Sequence, residues 1–509
     1  MWIVAPLLAM TLVCAAFAFV GLGASSYSID ELFSLFIIDH AGGPGEVVRR
    51  ALTDTHPPAY YLVLWGWSRA FGGGEAALRL FSAVCASGAL AVFFLGIRKS
   101  FSLPACAFAV ALGAGSKLFF EESQEVRNYA PGLLLSAGLL ALTLAIHRRV
   151  RDGRAAGWPL WAGLWATGLL AAFTHFYLLL EVGAVHLFLL ITARSLRTRG
   201  IIVLSGLTIL LPILVYIAAL LHGTEQNLQA MWFSNAPGFL FNQAFGGLTQ
   251  AWSRLAIGAV AILALAAFGR RKPSPPLAPL HLSGLAIGGV LAAGLIVSFL
   301  LAPSFGRKNL IFLAPFFWMA GAWLYDAAAP DPKRRGGAAL IGLLVLLTIS
   351  NGLNILTRLL PRNEPWRESA AYVDAAPGCE AKPIPVVLPF LFGPPTPFFR
   401  RLAEDRFFGH YDRWSERLTA YTPQEFGPAA PPDLRALLTE RAHGQGCRIL
   451  AWGVHDLDAP TVTAIRTAIA ASAGVPETTV KATAFNRIKP GLLGTSALRP
   501  NAYLFERAP

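Results

Sequence analysis

The sequence predicts a polytopic α-helical membrane protein, with about eleven transmembrane helices over residues 1–358 and a soluble α/β domain over residues 359–509. Three observations predict it. The chain is 55% hydrophobic and only 14% charged over 509 residues, with a mean hydropathy of +0.53, which excludes an ordinary soluble enzyme and a disordered chain. Apolar runs of membrane-crossing length, roughly 17 to 25 residues, recur through most of the chain. From about Leu359 prolines multiply, charges of both signs appear, and apolar runs shrink to strand length.

In chain order the spans are predicted at Trp2 to Leu22, Ala77 to Ile97, Pro104 to Phe120, Tyr129 to His147, Leu160 to Phe173 and Phe176 to Ala193. Ile201 to Leu221, Ala251 to Phe268, Leu280 to Leu301, Leu310 to Tyr325 and Ala338 to Leu356 complete the set. The first run has no basic start and only a weak cleavage site near residue 25, so it reads as a retained anchor. In the tail, Pro383 to Phe390, Cys447 to Val454 and Asn501 to Phe505 read as buried strands. Trp366 to Ala375, Pro432 to Ala442 and Ala459 to Ser472 have helical spacing, and the alternation predicts a small α/β layer.

Orientation follows from the loops. A cytoplasmic amino terminus puts Arg98, Lys99, Arg148, Arg149, Arg151, Arg154, Arg194, Arg197, Arg199, Arg270, Arg271, Lys272, Lys333, Arg334 and Arg335 on the inside. The net charge of +13 is thereby a matter of topology, and a nucleic-acid partner loses its support. An odd number of spans leaves the α/β domain outside. Cys14, Cys85 and Cys106 lie in predicted spans and read as small core residues. Cys379 shortly precedes one predicted strand and Cys447 opens another; a disulfide in an oxidising compartment and two free thiols are both open.

Ionisable groups beside lipid are costly, so those in outward segments are candidates for chemistry. Residues 23–74 carry Asp30, Glu31, Asp39, Asp54 and His56, and residues 117–129 carry Lys117, Glu121, Glu122, Gln124, Glu125 and Arg127. Residues 223–250 are rich in aromatic and amide side chains, and residues 303–309 carry Arg307 and Lys308. All four segments fall on one side of the bilayer, where they are expected to converge on one cavity. Such a set suits sugar transfer from a lipid phosphate. The phosphate is a good leaving group, so one base suffices and no paired acid is required, unlike glycoside hydrolysis. Cations neutralise charge on the departing phosphate, and Lys117, Arg127, Arg307 and Lys308 are the candidates. Asp30 is the expected base, its depth set by the first span and its proton affinity by desolvation. Glu31 is expected to orient a partner or the acceptor. The plainer reading is that both acids cap a helix starting near Asp30.

The segments Ser28-Ile-Asp30-Glu31-Leu-Phe-Ser34, His56-Pro57-Pro58-Ala-Tyr60-Tyr61, Phe71-Gly-Gly-Gly-Glu75-Ala-Ala-Leu-Arg79 and Ser123-Gln124-Glu125-Val-Arg127-Asn-Tyr129 resemble bacterial GT-C glycosyltransferases. The branches most resembled are protein O-mannosyltransferase-like, lipid A aminoarabinose transferase-like and Rgt-type galacturonosyltransferase-like. Thr174-His175-Phe-Tyr177 resembles a His-Tyr-Phe element of these proteins, and Lys308-Asn309-Leu resembles their Arg-Asn-Leu or Arg-Tyr-Leu element, with lysine losing the bidentate fork of arginine. The resemblance implies a polyprenyl-phosphate-linked sugar donor, inversion at the anomeric carbon, and Asp30 in the place of the catalytic aspartate. It implies substrate contacts from His56, Tyr60, Tyr61, Lys117, Gln124, Glu125, Arg127, Tyr129, His175, Arg307 and Lys308. It also implies a lipid, glycan or protein acceptor at the periplasmic face of the bacterial inner membrane.

No cofactor is required by this chemistry. A divalent ion is optional, and Asp54 and His56 with Asp30 or Glu31 would be its ligands. His56 with its two prolines also reads as a rigid loop re-entering the membrane surface, and His175 as a core histidine bonded to a carbonyl. Trp65, Trp67, Trp158, Trp161 and Trp165 read as interfacial anchors. Arg79 reads as pairing with an acidic loop residue or snorkelling to head groups. The competing class is a transporter or flippase of lipid-linked sugars. Such proteins place charges near the midplane, often in two related halves, and no internal symmetry is visible in this chain.

Overall fold

A computed structural model describes residues 4–39, 42–223, 234–246, 263, 275–301, 303–328, 335–380, 382–388, 396–455, 457–490 and 496–508. The chain divides into two compact units, Met1–Val20 with His40–Leu353, and Gly21–Asp39 with Asn354–Pro509. Residues 21–39, expected to be part of the helical portion, thus belong to the C-terminal unit. The predicted span Ala251 to Phe268 lies, apart from Leu263, outside the described residues, as do Arg270, Arg271, Lys272, Lys333 and Arg334.

The first unit is helical throughout its described residues. Its elements, numbered along the whole chain, are α1 (Val4–Ala16), α3 (Pro44–Ala51), α4 (Ala59–Phe71), α5 (Glu75–Ile97), α6 (Leu103–Ala114) and α7 (Lys117–Glu122). They continue with α8 (Tyr129–Arg151), α9 (Trp158–Ala172), α10 (Phe176–Thr192), α11 (Leu196–Gly223), α12 (Ala278–Leu300), α13 (Ala314–Ala328) and α14 (Arg335–Asn354). Among the described residues, five stretches are long and apolar enough to cross a membrane: α5, α8, α11, α12 and Arg307–Ala328. Helices coincide with the other predicted spans, but α1 ends early, passing into a 3-10 turn at Phe17–Phe19.

One expectation is corrected here. The run Pro104 to Phe120 is broken, because Ser116 turns the chain and its hydroxyl accepts from Phe119 N at 3.1 Å to start α7. His56 and its two prolines lie in a loop between helices. Pro58, which lacks a donor, immediately precedes helix α4, and Ala59 N donates to Phe173 O at 2.8 Å, which ties the loop to the end of α9.

Small residues set the helix spacing. A Cβ on Gly96 of α5 would fall 2.6 Å from Ala141 Cβ of α8, and one on Gly113 of α6 would fall 2.9 Å from the Trp318 ring of α13. On α8, Gly132 faces the Phe312 ring so closely that no Cβ fits. Phe312 belongs to a 3-10 segment, Arg307–Leu313, that precedes α13.

The second unit contains α2 (Ile29–Ile38), α15 (Trp366–Ala375), α16 (Pro397–Leu402), α17 (Pro432–His443) and α18 (Ala459–Ala473). Its sheet runs in the order β2-β1-β3-β5-β4, with β1 (Ile384–Val387), β2 (Leu418–Tyr421), β3 (Ile449–Val454), β4 (Val480–Pro490) and β5 (Ser496–Arg507). Strands β2, β1 and β3 are parallel; β5 and β4 pair antiparallel. Strand β3 is buried at all six positions, as its continuous apolar run predicts. The sequence reading missed β2 and β4. Cys379 and Cys447 form a disulfide with Cα atoms 4.5 Å apart.

Candidate active site

In the first unit the loop before α4, the loop between α7 and α8, and the start of α10 bring Asp54, His56, Tyr61, Arg127 and His175 together. The Tyr61 hydroxyl, in the first turn of α4, donates to Asp54 Oδ2. His56 Nδ1 lies 3.2 Å from the same oxygen, and Arg127 Nη2 lies 3.5 Å from that ring nitrogen. The His56 and His175 rings are 5.2 Å apart between centroids, and His175 packs on Phe312 at 4.8 Å. Behind them, the Tyr216 hydroxyl of α11 donates to Ala51 O at 3.3 Å.

The electrostatics follow from this packing. Burial opposes a charge on Asp54, yet His56, Arg127 and the Tyr61 hydroxyl outweigh it and hold the carboxyl well below the usual carboxylate range. His175 Nδ1 accepts from Tyr177 N at 3.1 Å and so caps α10, rather than donating to a carbonyl. Burial, followed by the charges of His56 and Arg127, pushes its imidazole well below the ordinary value, so it is neutral.

A second group lies beside α7 and α8. Lys308 Nζ donates to both carboxylate oxygens of Glu125, at 3.0 and 3.4 Å, and sits 5.2 Å from the Tyr129 ring centroid. The Ser82 hydroxyl of α5 donates to Glu125 O at 2.6 Å, which fixes the loop. Glu122, 7% exposed, is hydrogen-bonded to Glu125, and burial followed by that neighbour raises its carboxyl well above the usual range.

The other predicted residues have different surroundings. Gln124 spends its amide on the carbonyls of Ala18 and Val20, at 2.9 and 2.7 Å, a structural tie of the loop to the end of the first helix. Lys117 is exposed and paired with Glu121 one turn on, a solvent-screened surface contact. Arg307 is exposed while its backbone N donates to Gln243 Oε1 at 2.9 Å. Tyr60 is buried against Tyr61. Arg79 is fully buried, so it does not snorkel.

Asp30 and Glu31 lie in the second unit, in the first turn of α2. Ser28 Oγ accepts from Glu31 N at 3.3 Å while Glu31 Oε2 accepts from Ser28 N at 2.8 Å, a reciprocal cap. Glu31 is 1% exposed and also accepts from Asn363 Nδ2 at 3.1 Å. Asp30, the next residue back, is half-buried. Five residues earlier, the Ser25 hydroxyl accepts from the backbone N of Arg362 and Asn363 at 3.2 and 3.0 Å.

The metal expectation does not fit these donors. Asp54 Oδ2 is already engaged by Tyr61 and His56, and among the described residues no group of three or more His, Cys, Asp or Glu is placed to hold an ion. Sequence reasoning missed Glu122 as a partner of Glu125, and Asn309, whose side chain bonds His175. The signal for Glu122 was there: an acid three residues before another lies on the same side of a helical turn.

The family model for dolichyl-phosphate-mannose-protein mannosyltransferases matches residues 55–218, a stretch that runs through His56, Glu122, Glu125, Arg127 and His175. That match and the fold together support a GT-C-like glycosyltransferase fold for the chain. Among solved structures, apo ArnT from Cupriavidus metallidurans superposes on this chain with a TM-score of 0.57 at 13% identity, covering 98% of this chain and 97% of that one. ArnT from the same organism bound to undecaprenyl phosphate gives 0.54 at 12% identity over the same shares. At such identities the likeness is one of fold. No curated protein sequence matches this chain. The family match favours the transferase reading over the transporter.

Proposed function

We propose that this glycosyltransferase moves a sugar from a polyprenyl-phosphate donor onto a lipid, glycan or protein acceptor at the periplasmic face of the bacterial inner membrane, with inversion at the anomeric carbon. The observation that carries the reading is that the family match runs through the very side chains that the first unit gathers, His56, Arg127 and His175. The ArnT fold, one structure of which holds undecaprenyl phosphate, supports the donor class. About eleven spans follow from the apolar runs, and an amino terminus inside with the α/β unit outside follows from the loop charges.

Asp30 is the base that takes the proton from the acceptor. A single displacement by the acceptor oxygen or nitrogen forms the new glycosidic bond as the bond to the phosphate oxygen breaks, and the anomeric centre inverts. Arg127 and Lys308 neutralise the phosphate as it leaves, so no second acid is needed. Asp54 is a poor alternative base, because His56, the Tyr61 hydroxyl and the nearby charge of Arg127 hold it ionised and weakly basic. It positions His56 instead.

Asp30→Asn tests the base assignment. General-base removal is worth about 10²- to 10⁴-fold, so transfer from a polyprenyl-linked sugar should fall by that factor while the protein still inserts and binds the lipid. Unimpaired turnover by this variant would remove Asp30 from the mechanism. Mass spectrometry of lipids, glycans and envelope proteins from cells with and without the gene identifies the sugar and the acceptor.

A further inference from the structure

The carboxylate read as the base sits where a helix is least fixed. Asp30 is in the first turn of α2, a helix of 10 residues. A helix of that length is marginal on its own and its ends fray, whereas a general base works only within about 2.6 to 3.2 Å of the proton it removes. The start of α2 therefore calls for anchoring from outside the helix, beyond the reciprocal cap of Ser28 and Glu31.

Asn363, half-buried in the same unit, supplies such an anchor. A primary amide carries two N–H donors, and this one spends both on the segment that bears Asp30. Its Nδ2 donates to Ser26 O at 3.0 Å, before the Ser28 cap, and to Glu31 Oε2 at 3.1 Å, after it. The bond to the carboxylate is the charge-assisted kind, stronger than a neutral one. The backbone N of Asn363 donates to the Ser25 hydroxyl at 3.0 Å, and the Ser26 hydroxyl donates to O of the next residue, Glu364, at 2.6 Å. That pair of residues is tied in turn to the sheet: Glu364 Oε1 lies 3.0 Å from Nδ1 of His455, which follows the last residue of β3. Arg367 and Tyr411 also reach the segment, at Gly23, Ala24 and Tyr27, all upstream of the cap; Asn363 reaches across it. Successive helical residues are turned by about 100°, so the contact at Glu31 sets the direction of Asp30 through the backbone that joins them.

We propose that Asn363 is a positioning residue for sugar transfer, holding the first turn of α2 so that Asp30 meets the acceptor's proton. The proposal rests on the reading of Asp30 as the base. Asn363 acts through Glu31 and the helix backbone and makes no contact with the reacting atoms.

A double-mutant cycle tests it. Full-length wild type, Asn363→Ala, Asp30→Asn and the double variant are each returned to cells lacking the gene, at matched membrane levels. Mass spectrometry then follows the rate at which the sugar-bearing product missing from those cells reappears. Asn363→Ala should slow transfer about 10- to 100-fold, as a misplacement of up to about 1 Å does. Its Kd for undecaprenyl phosphate, measured by calorimetry on the purified protein, should stay within about twofold of wild type. In Asp30→Asn the same change should cost less than about threefold, because a residue that acts through a base has nothing to act on once the base is gone. Asn363→Asp sets a carboxylate against Glu31 and should be slower than Asn363→Ala. Adding Glu31→Gln restores a donor across that contact and should recover the rate about tenfold. Unchanged transfer by Asn363→Ala, an equal loss with and without Asp30, or no recovery by Glu31→Gln overturns the positioning role and leaves Asp30 as the base. Unimpaired transfer by Asp30→Asn overturns the base itself, and the role of Asn363 with it.

Discussion

Asp54 is a carboxylate the fold keeps charged, and its use is to aim other groups. Its Oδ2 receives the Tyr61 hydroxyl and faces His56 Nδ1 at 3.2 Å, and Arg127 approaches the same imidazole at 3.5 Å. Asp54→Asn retains the shape but replaces the anion that gathers these donors. A misplacement of about 1 Å in a reacting group costs about 100-fold in rate, so kcat/KM of Asp54→Asn should fall by about that factor. The sign of the pH effect follows from the depressed native value. The stability gained from ionised Asp54 is complete above the unfolded carboxyl value of about 4 and is lost only as pH falls through the lower native value. The acidic limb of the rate profile, measured between about pH 5 and about pH 8, should therefore be the same in wild type and Asp54→Asn. A limb that disappears in the variant would show that Asp54 is itself the titrating group.

Helices place these side chains through close approach, and a single glycine shows how. On α8, Gly132 faces the Phe312 ring with no room for a Cβ, and Phe312 packs on His175 at 4.8 Å. Gly132→Val should push that ring onto His175 and cost about 1 to 3 kcal/mol by overpacking, with activity falling more than the stability loss explains. Gly284 on α12 has nothing within 4 Å of the place a Cβ would occupy, so Gly284→Val is the matched control and should leave turnover unchanged. Equal effects of the two substitutions on turnover would break the link from Phe312 to the site. The spans that hold these glycines were readable because an unbroken apolar run of such length is seldom found outside a membrane. The α6–α7 break was not, since Gly115 and Ser116 sit inside such a run and only the hydroxyl cap of Ser116 marks it. Strand β4, VKATAFNRIKP, escaped notice because it is half-exposed and mixed in composition, and β2 because it has four residues. In the site, Arg127 and His56 stood out as charges in an apolar chain. The Glu31 cap was readable, since an acid at a predicted helix start offers it, but the use of Gln124 as a backbone tie was hidden, because an amide reads the same whether it meets backbone or substrate.

At the scale of the molecule the two units differ in what holds them. The cysteines described in the first unit, Cys14, Cys85 and Cys106, are buried and free, whereas the second is closed by Cys379–Cys447 across 68 residues of sequence. Closing a loop of that length stabilises by about 4 kcal/mol in the chain-entropy account. Beside the bond Arg417 donates to Cys379 O at 2.8 Å and pairs with Asp374 and Asp412 at 2.8 and 2.9 Å, its side chain 3% exposed. Removal of a partner from such a buried group costs about 3 to 5 kcal/mol, so Arg417→Ala should loosen the same region as reduction does. Hydrogen exchange on the full-length protein, with and without reductant, separates the units. Exchange should rise in β1 and β3, near which the two cysteines lie, and stay constant in α5 and α8; a rise of equal size in all four would mean the units do not unfold separately. The same bond tests the orientation. Disulfides persist in oxidising compartments, so in intact cells a membrane-impermeant thiol reagent should label Cys379 and Cys447 only after an impermeant reductant has been added. Resistance to both reagents until the cells are lysed would place the α/β unit in the cytoplasm, and would reverse the inside and outside assigned to every loop.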